Sequence, residues 1–145
     1  MKVLVVDGMG GSIGSQIVSR LRAALPEEKV EIEVLGTNAI AASNMMKAGA
    51  NRGASGENAF KVTAPKADVI IGPVGIAIPN SFMGELSPSM AEAISLSPAR
   101  KLLLPLTQSG VEIVGAGGLP LPHLMDQAID LIESMLKREG VSERV

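Results

Sequence analysis

The sequence contains no cysteine, no tyrosine and no tryptophan, and only two phenylalanines. Without cysteine there is no disulfide framework, no thiolate nucleophile and no iron–sulfur cluster, and a zinc site would have to rely on carboxylates and the single His123. Without tyrosine, the phenolic acid of short-chain dehydrogenases has no counterpart, whatever the glycine turn near the start suggests. No apolar run approaches membrane-spanning length, and Met1 leads straight into a strand-like segment rather than a basic, apolar and small-residue succession. No basic patch stands out, and the formal net charge is −2. The expectation is a soluble cytoplasmic protein with neither nucleic-acid nor membrane partners.

What is present reads as one α/β domain over residues 1–139, with a flexible tail at 140–145. Lys2 to Val6 is a continuous apolar run suited to a strand covered on both faces. Ile13, Ile17, Val18, Leu21 and Leu25 recur at helical spacing, and Pro26 closes that segment. Val30 to Leu35 alternates and reads as a strand near a sheet edge, with Glu31 and Glu33 on its solvent face. Asn38 is placed to cap a helix reaching about Ala48, where Gly49 supplies the stop. Residues 50–58 read as a loop, followed by a short helix from Glu57 to Val62 and a buried strand at Val69-Ile70-Ile71. Ile76-Ala77-Ile78 fits either a strand or an apolar loop. Ser89-Met90-Ala91-Glu92 fits a capping box at the start of the next helix.

Leu102-Leu103-Leu104 is the next strand, and Val111 to Val114 follows after a link too short to hold a crossover helix, which predicts an antiparallel pair. Leu124, Ala128, Leu131, Ile132 and Met135 mark the apolar face of a final helix. The predicted fold is a three-layer Rossmann-like sandwich whose sheet is mainly parallel, with an antiparallel edge strand.

The candidate site follows the first strand, in Asp7-Gly8-Met9-Gly10-Gly11-Ser12-Ile13-Gly14. A strand that runs through glycines into a helix lets ligand oxygens approach bare backbone amides, with the positive end of the helix dipole behind them. The strict dinucleotide fingerprint begun at Gly8 would need glycine where Ile13 stands. The acid that usually reads a ribose at the tip of the second strand is also missing, because Gly36-Thr37-Asn38 occupies that place. This disfavours NAD and leaves NADP, a mononucleotide or a smaller phosphorylated ligand, with Thr37, Asn38 and Arg52 as further contacts. Asp7 lies where a carboxylate could hold a metal or a hydroxyl, or could bond the loop amides and hold their shape. With Glu57 and Glu85, also in small-residue loops, it could bind Mg²⁺ if the three converged. Tight packing of a strand-to-helix turn is the alternative reason for the glycines.

These segments, together with Lys47-Ala48-Gly49-Ala50, Ser55-Gly56-Glu57-Asn58, Asp68-Val69-Ile70-Ile71-Gly72-Pro73 and Gly84-Glu85-Leu86-Ser87-Pro88, resemble a family of short bacterial proteins known as domain of unknown function 3842. The resemblance spans most of the chain. It implies a Rossmann-like fold and no established activity. Met9 and Ser12 stand where that family commonly has Gln and Gly, which leaves contacts from the backbone.

The reading favoured by these residues is a binding module for a nucleotide or phosphorylated metabolite, held by Asp7 to Gly14, Thr37, Asn38 and Glu57. One alternative is an enzyme, either an NADP-type reductase completed by a partner chain or a Mg²⁺-dependent phosphoryl-transfer or hydrolase activity. No catalytic residue is assigned. A second alternative is a structural scaffold without a ligand. A homodimer is expected, because a small sheet tends to leave apolar helix faces uncovered.

Overall fold

The computed structural model describes residues 1–106 and 110–144, with side chains up to residue 139. Its strands are β1 (Lys2–Asp7), β2 (Glu31–Gly36), β3 (Arg52–Ser55), β4 (Val69–Pro73) and β5 (Arg100–Leu104). Its helices are α1 (Ser12–Ala24), α2 (Ala39–Lys47), α3 (Glu57–Thr63), α4 (Pro88–Leu96) and α5 (Leu121–Arg144). The strands form one sheet in the order β3-β2-β1-β4-β5, and every pairing is parallel.

The layers follow from the alternation of side chains along the strands. Val3 and Val5 point to one face, into a core shared with Ile17, Val18 and Leu21 of α1, Met45 of α2 and Met125, Ile129 and Ile132 of α5. Leu4 and Val6 point to the other face, against Phe60 of α3 and Met90, Ala91 and Ile94 of α4. Both faces are therefore covered, as expected of a parallel sheet. The Rossmann-like sandwich stands.

The antiparallel edge strand does not form. Among the described residues β5 pairs with β4 alone; Val111 makes no more than an isolated bridge, and Val111 to Val114 runs exposed between Gly110 and Gly115, both at positive φ. The link on which that expectation rested crosses residues 107–109, outside the described residues.

Other differences also have local causes. The segment read as a loop contains β3, a fully exposed edge strand, and β2 lies next to it, near the sheet edge as expected. Gly53 makes this possible, since a Cβ there would stand 2.6 Å from Val34 Cγ2 on the neighbouring strand. Arg52 then reaches Glu33 at 2.5 Å and Glu31 at 3.0 Å, so Glu33, only 8% exposed, is an engaged ion-pair partner rather than a solvent-facing residue. Ile76 lies in a short 3-10 turn, Val74–Ala77, and is buried.

At α4 the cap is Ser87, not Ser89, because Pro88 suits the first helical position, where its missing N–H costs nothing. Along α5, Met125, Ala128, Ile129 and Ile132 are buried while Leu131 is turned outward, a rotation of the expected face. Asn38 caps α2 as expected, accepting from the Ala41 amide at 2.8 Å, and Gly49 follows that helix with φ 123°. Residues 140–144, expected as a tail, continue α5 to Arg144, and their side chains lie outside the described residues. No described helix is long and apolar enough to cross a membrane.

Candidate functional site

β1 and β4 are neighbours in the sheet, yet the chain leaves β1 toward β2 and leaves β4 toward β5. Connections diverging from adjacent strands leave a crevice beyond their carboxyl ends, the usual ligand position in open α/β sheets. Here it is a cleft of about 240 Å³, lined by Asp7 and the whole loop Gly8 to Ile13 on the β1 side and by Pro73, Gly75 and Phe82 on the β4 side. Leu106, just past β5, completes the wall. Sites that enclose a drug-sized ligand run to roughly 300–1,000 Å³, so this one suits a single group of a ligand whose remainder lies on the surface.

Asp7 shapes the loop. It is 3% exposed; its Oδ1 accepts from the Gly8 amide at 2.8 Å and its Oδ2 from the Gly14 amide at 2.7 Å. Burial pushes its carboxyl above the ordinary carboxylate range, opposed by the bonds from Gly14, Gly8 and Ile13 and reinforced by the nearby charge of Glu85. Of its two expected roles, holding the loop is the one these bonds perform.

The loop glycines divide by what a side chain would meet. At Gly11, with φ +74°, a Cβ would meet the Ala41 backbone oxygen at 2.8 Å; at Gly8 it would meet Phe82 and Thr37 Oγ1, each at 2.9 Å. At Gly14 it would collide with the Met45 sulfur and approach Asp7 Cβ to 2.9 Å. These three are required by packing. Gly10 has nothing within 4 Å of a Cβ position and no unusual φ.

The amides divide in the same way. Gly8 and Gly14 donate to Asp7, Gly11 to the Gly8 carbonyl at 2.9 Å, and Met9 to Glu85 at 2.9 Å. Those of Gly10 and Ser12 have no partner among the described residues, and both residues line the cleft.

A family model matches residues 2–137, described as Domain of unknown function (DUF3842). The chain belongs to that family. Neither a search of curated proteins nor one of solved structures returns a match. Membership in the DUF3842 family carries no activity, so chemistry has to come from the site itself.

Of the residues expected there, Asp7, Gly8, Met9, Gly10, Gly11, Ser12 and Ile13 line the cleft, and Gly14 lies behind it. Thr37 and Asn38 stand beside it: Asn38 Nδ2 donates to the Met9 carbonyl at 2.8 Å, and the Thr37 hydroxyl to Glu85 at 2.6 Å. Asn38 therefore both caps α2 and ties the tip of β2 to the loop.

Glu57 is not brought there. It starts α3 and accepts from the hydroxyls of Ser87, at 2.8 Å, and Ser89, bonds that hold its carboxyl below the ordinary range. Arg52 is spent on Glu31 and Glu33 at the sheet edge. His123, the only imidazole, is exposed near the start of α5. Among the described residues no three His, Cys, Asp or Glu side chains are grouped to hold an ion, so the convergence of Asp7, Glu57 and Glu85 on Mg²⁺ is not realised.

The residues whose place the sequence did not signal are Phe82 and Gly75, across the cleft. Glu85, expected as a carboxylate that could join Asp7 at the mouth, does come there, but on the tip of β2 rather than on an ion. Its Oε1 accepts from Met9 N, Thr37 Oγ1 and Asn38 Nδ2, and these bonds, Thr37 foremost, hold the carboxyl below its ordinary range.

Proposed function

We propose that the chain is a binding module for a nucleotide or phosphorylated metabolite, whose phosphate is held on the amides of Gly10 and Ser12 at the start of α1. The observation that carries this reading is the contrast within the loop. Gly8, Gly11 and Gly14 are explained by packing, whereas Gly10 has no packing reason and stands beside unpartnered amides in a cleft at the topological switch point. A residue without a Cβ there keeps the backbone open to a ligand oxygen, and the dipole of a 13-residue helix favours negative charge at that end. Phosphoryl transfer assisted by Mg²⁺ has no comparable support, because Asp7 spends both oxygens on loop amides and Glu57 is engaged by serines.

Thermal-shift screening with NAD, NADP, ATP, GTP, flavin mononucleotide and inorganic phosphate, each with and without Mg²⁺, tests this. At a concentration about a hundred times its Kd a ligand stabilises by about 2.7 kcal/mol, so at least one nucleotide should raise Tm by several degrees. Gly10→Val should leave the Tm without ligand nearly unchanged, since the added side chain meets open space, and should abolish the shift. No shift with any compound, or the same shift in the variant, refutes the reading.

A further inference from the structure

In dinucleotide-binding α/β folds the ribose hydroxyls are read by an acid near the tip of the second strand. Here β2 ends in Gly36-Thr37-Asn38, with no acid of its own. A carboxylate is nevertheless present at that tip. It belongs to Glu85, 48 residues from Thr37 in sequence, and it is held from three sides: by the Met9 amide at 2.9 Å, the Thr37 hydroxyl at 2.6 Å and the Asn38 amide group at 2.9 Å.

All three donors converge on Oε1. Oε2 has no partner among the described residues, and the side chain is only partly buried. Such a carboxylate has one oxygen committed to the protein and one available to accept from a ligand hydroxyl.

The segment carrying Glu85 is built to hold it there. Asn80, Phe82 and Met83 all take left-handed backbone conformations without being glycine, and Gly84 follows at φ 90°. Strain of this kind persists only where the surroundings over-determine it, and it concentrates at ligand clamps. The turn is closed by the Asn80 amide donating to the Leu86 carbonyl at 2.7 Å. The buried Ser81 hydroxyl donates to the carbonyls of Gly75 and Ile78. Phe82, from the same turn, packs over Gly8 and lines the cleft.

We propose that Glu85 is the specificity-determining residue of the cleft, accepting from the vicinal hydroxyls of a ribose at the β2 tip and excluding a phosphate at the same place. The inference rests on the nucleotide reading given above. It reverses one part of the expectation drawn from the missing acid on β2, which disfavoured NAD and left NADP, a mononucleotide or a smaller phosphorylated ligand. A phosphomonoester on the ribose would set two negative charges beside a carboxylate whose donors are already committed, with no cationic side chain lining the cleft among the described residues. A diol would instead donate to Oε2.

Titration calorimetry of the full chain with adenosine 5′-monophosphate and with adenosine 2′,5′-bisphosphate tests this directly, with NAD and NADP as a second pair. The wild type should bind the member with the free diol roughly tenfold more tightly or better, the scale on which a mispaired polar group discriminates. In Glu85→Gln, which removes the charge, the ratio should collapse to within about threefold, chiefly because the 2′-phosphorylated member gains. A wild-type preference for the 2′-phosphate overturns the proposal whatever the variant does. So does an unchanged ratio in Glu85→Gln, or equal tightening of both members, which would make Glu85 a gate over the loop rather than a reader. If neither pair binds, this proposal falls, and the nucleotide reading falls with it only if ATP, GTP, flavin mononucleotide and phosphate give no thermal shift either. If adenosine 5′-monophosphate binds in a Gly10-dependent way with a ratio indifferent to Glu85, only this proposal falls.

Discussion

Replacing Gly72 by alanine is expected to destabilise the fold by about 3 kcal/mol, at the upper end of the usual cost of overpacking. A Cβ at Gly72 would collide with the carbonyl oxygen of Val6 and stand 3.1 Å from Ile76 Cδ1. The Ile76 side chain can adjust, but the Val6 carbonyl is backbone in the central strand. The pairing of β1 with β4 ends at Val5 and Ile71, while β4 continues beside β5 with Gly72 opposite Leu103. Gly72 thus lies where the two strands part to open the cleft, and relief of the clash has to move one of them. In urea denaturation the midpoint should fall with the slope unchanged, whereas Gly10→Ala should stay within about 0.5 kcal/mol of wild type. A Gly72→Ala protein of near wild-type stability would mean that β1 and β4 do not approach as described.

Asp7→Ala is the second large effect. It strips the acceptor from the Gly8 and Gly14 amides in a buried site, and a buried donor left unpaired costs about 1–3 kcal/mol, so a loss of about 3 kcal/mol is expected. The pH dependence has a definite sign. Because burial raises the carboxyl of Asp7 in the folded chain, the native state binds its proton more readily than the unfolded state does. Its stabilising contribution is therefore complete below the ordinary value of 3.8 and is lost as pH rises through the raised one. Glu85 has the opposite sign: its lowered carboxyl contributes above its ordinary value of 4.5, and that contribution is lost as pH falls through the lowered one. Asp7→Asn keeps an acceptor for one amide but turns an NH₂ group toward the other. Urea melts of wild type and Asp7→Asn between about pH 3 and about pH 8 should therefore show the wild type losing ground to the variant as pH rises. A constant difference would place Asp7 outside that titration range.

Where the signals are local, they were legible in the sequence. The apolar run of β1, the glycines and the spacing of Ile17, Val18 and Leu21 all lie within a few turns of chain, and together they place the loop at the mouth of the sheet. β3 was not legible, since Arg52–Ser55 is exposed along its length and becomes a strand only by lying against β2. The α4 cap misled because Ser89 and Glu92 satisfy a local pattern, while the preference of Pro88 for the first helical position and the pull of Glu57 on Ser89 assign the cap to Ser87. Glu85 shows the limit most clearly. Neither Thr37 nor Glu85 carries a nearby signal of the other, and only the turn through Asn80 to Gly84 brings them to a hydrogen bond. Glu57, in an equally suggestive small-residue loop, went elsewhere.

The claim that a ligand oxygen sits on the free amides of the glycine loop can be followed amide by amide, by titrating ¹⁵N-labelled chain with whichever nucleotide stabilises it. The resonances of Gly10 and Ser12 should move most, and those of Gly8 and Gly14, whose hydrogens are held by Asp7, should move least. Saturable shifts centred elsewhere, with Gly10 and Ser12 unmoved, would contradict it.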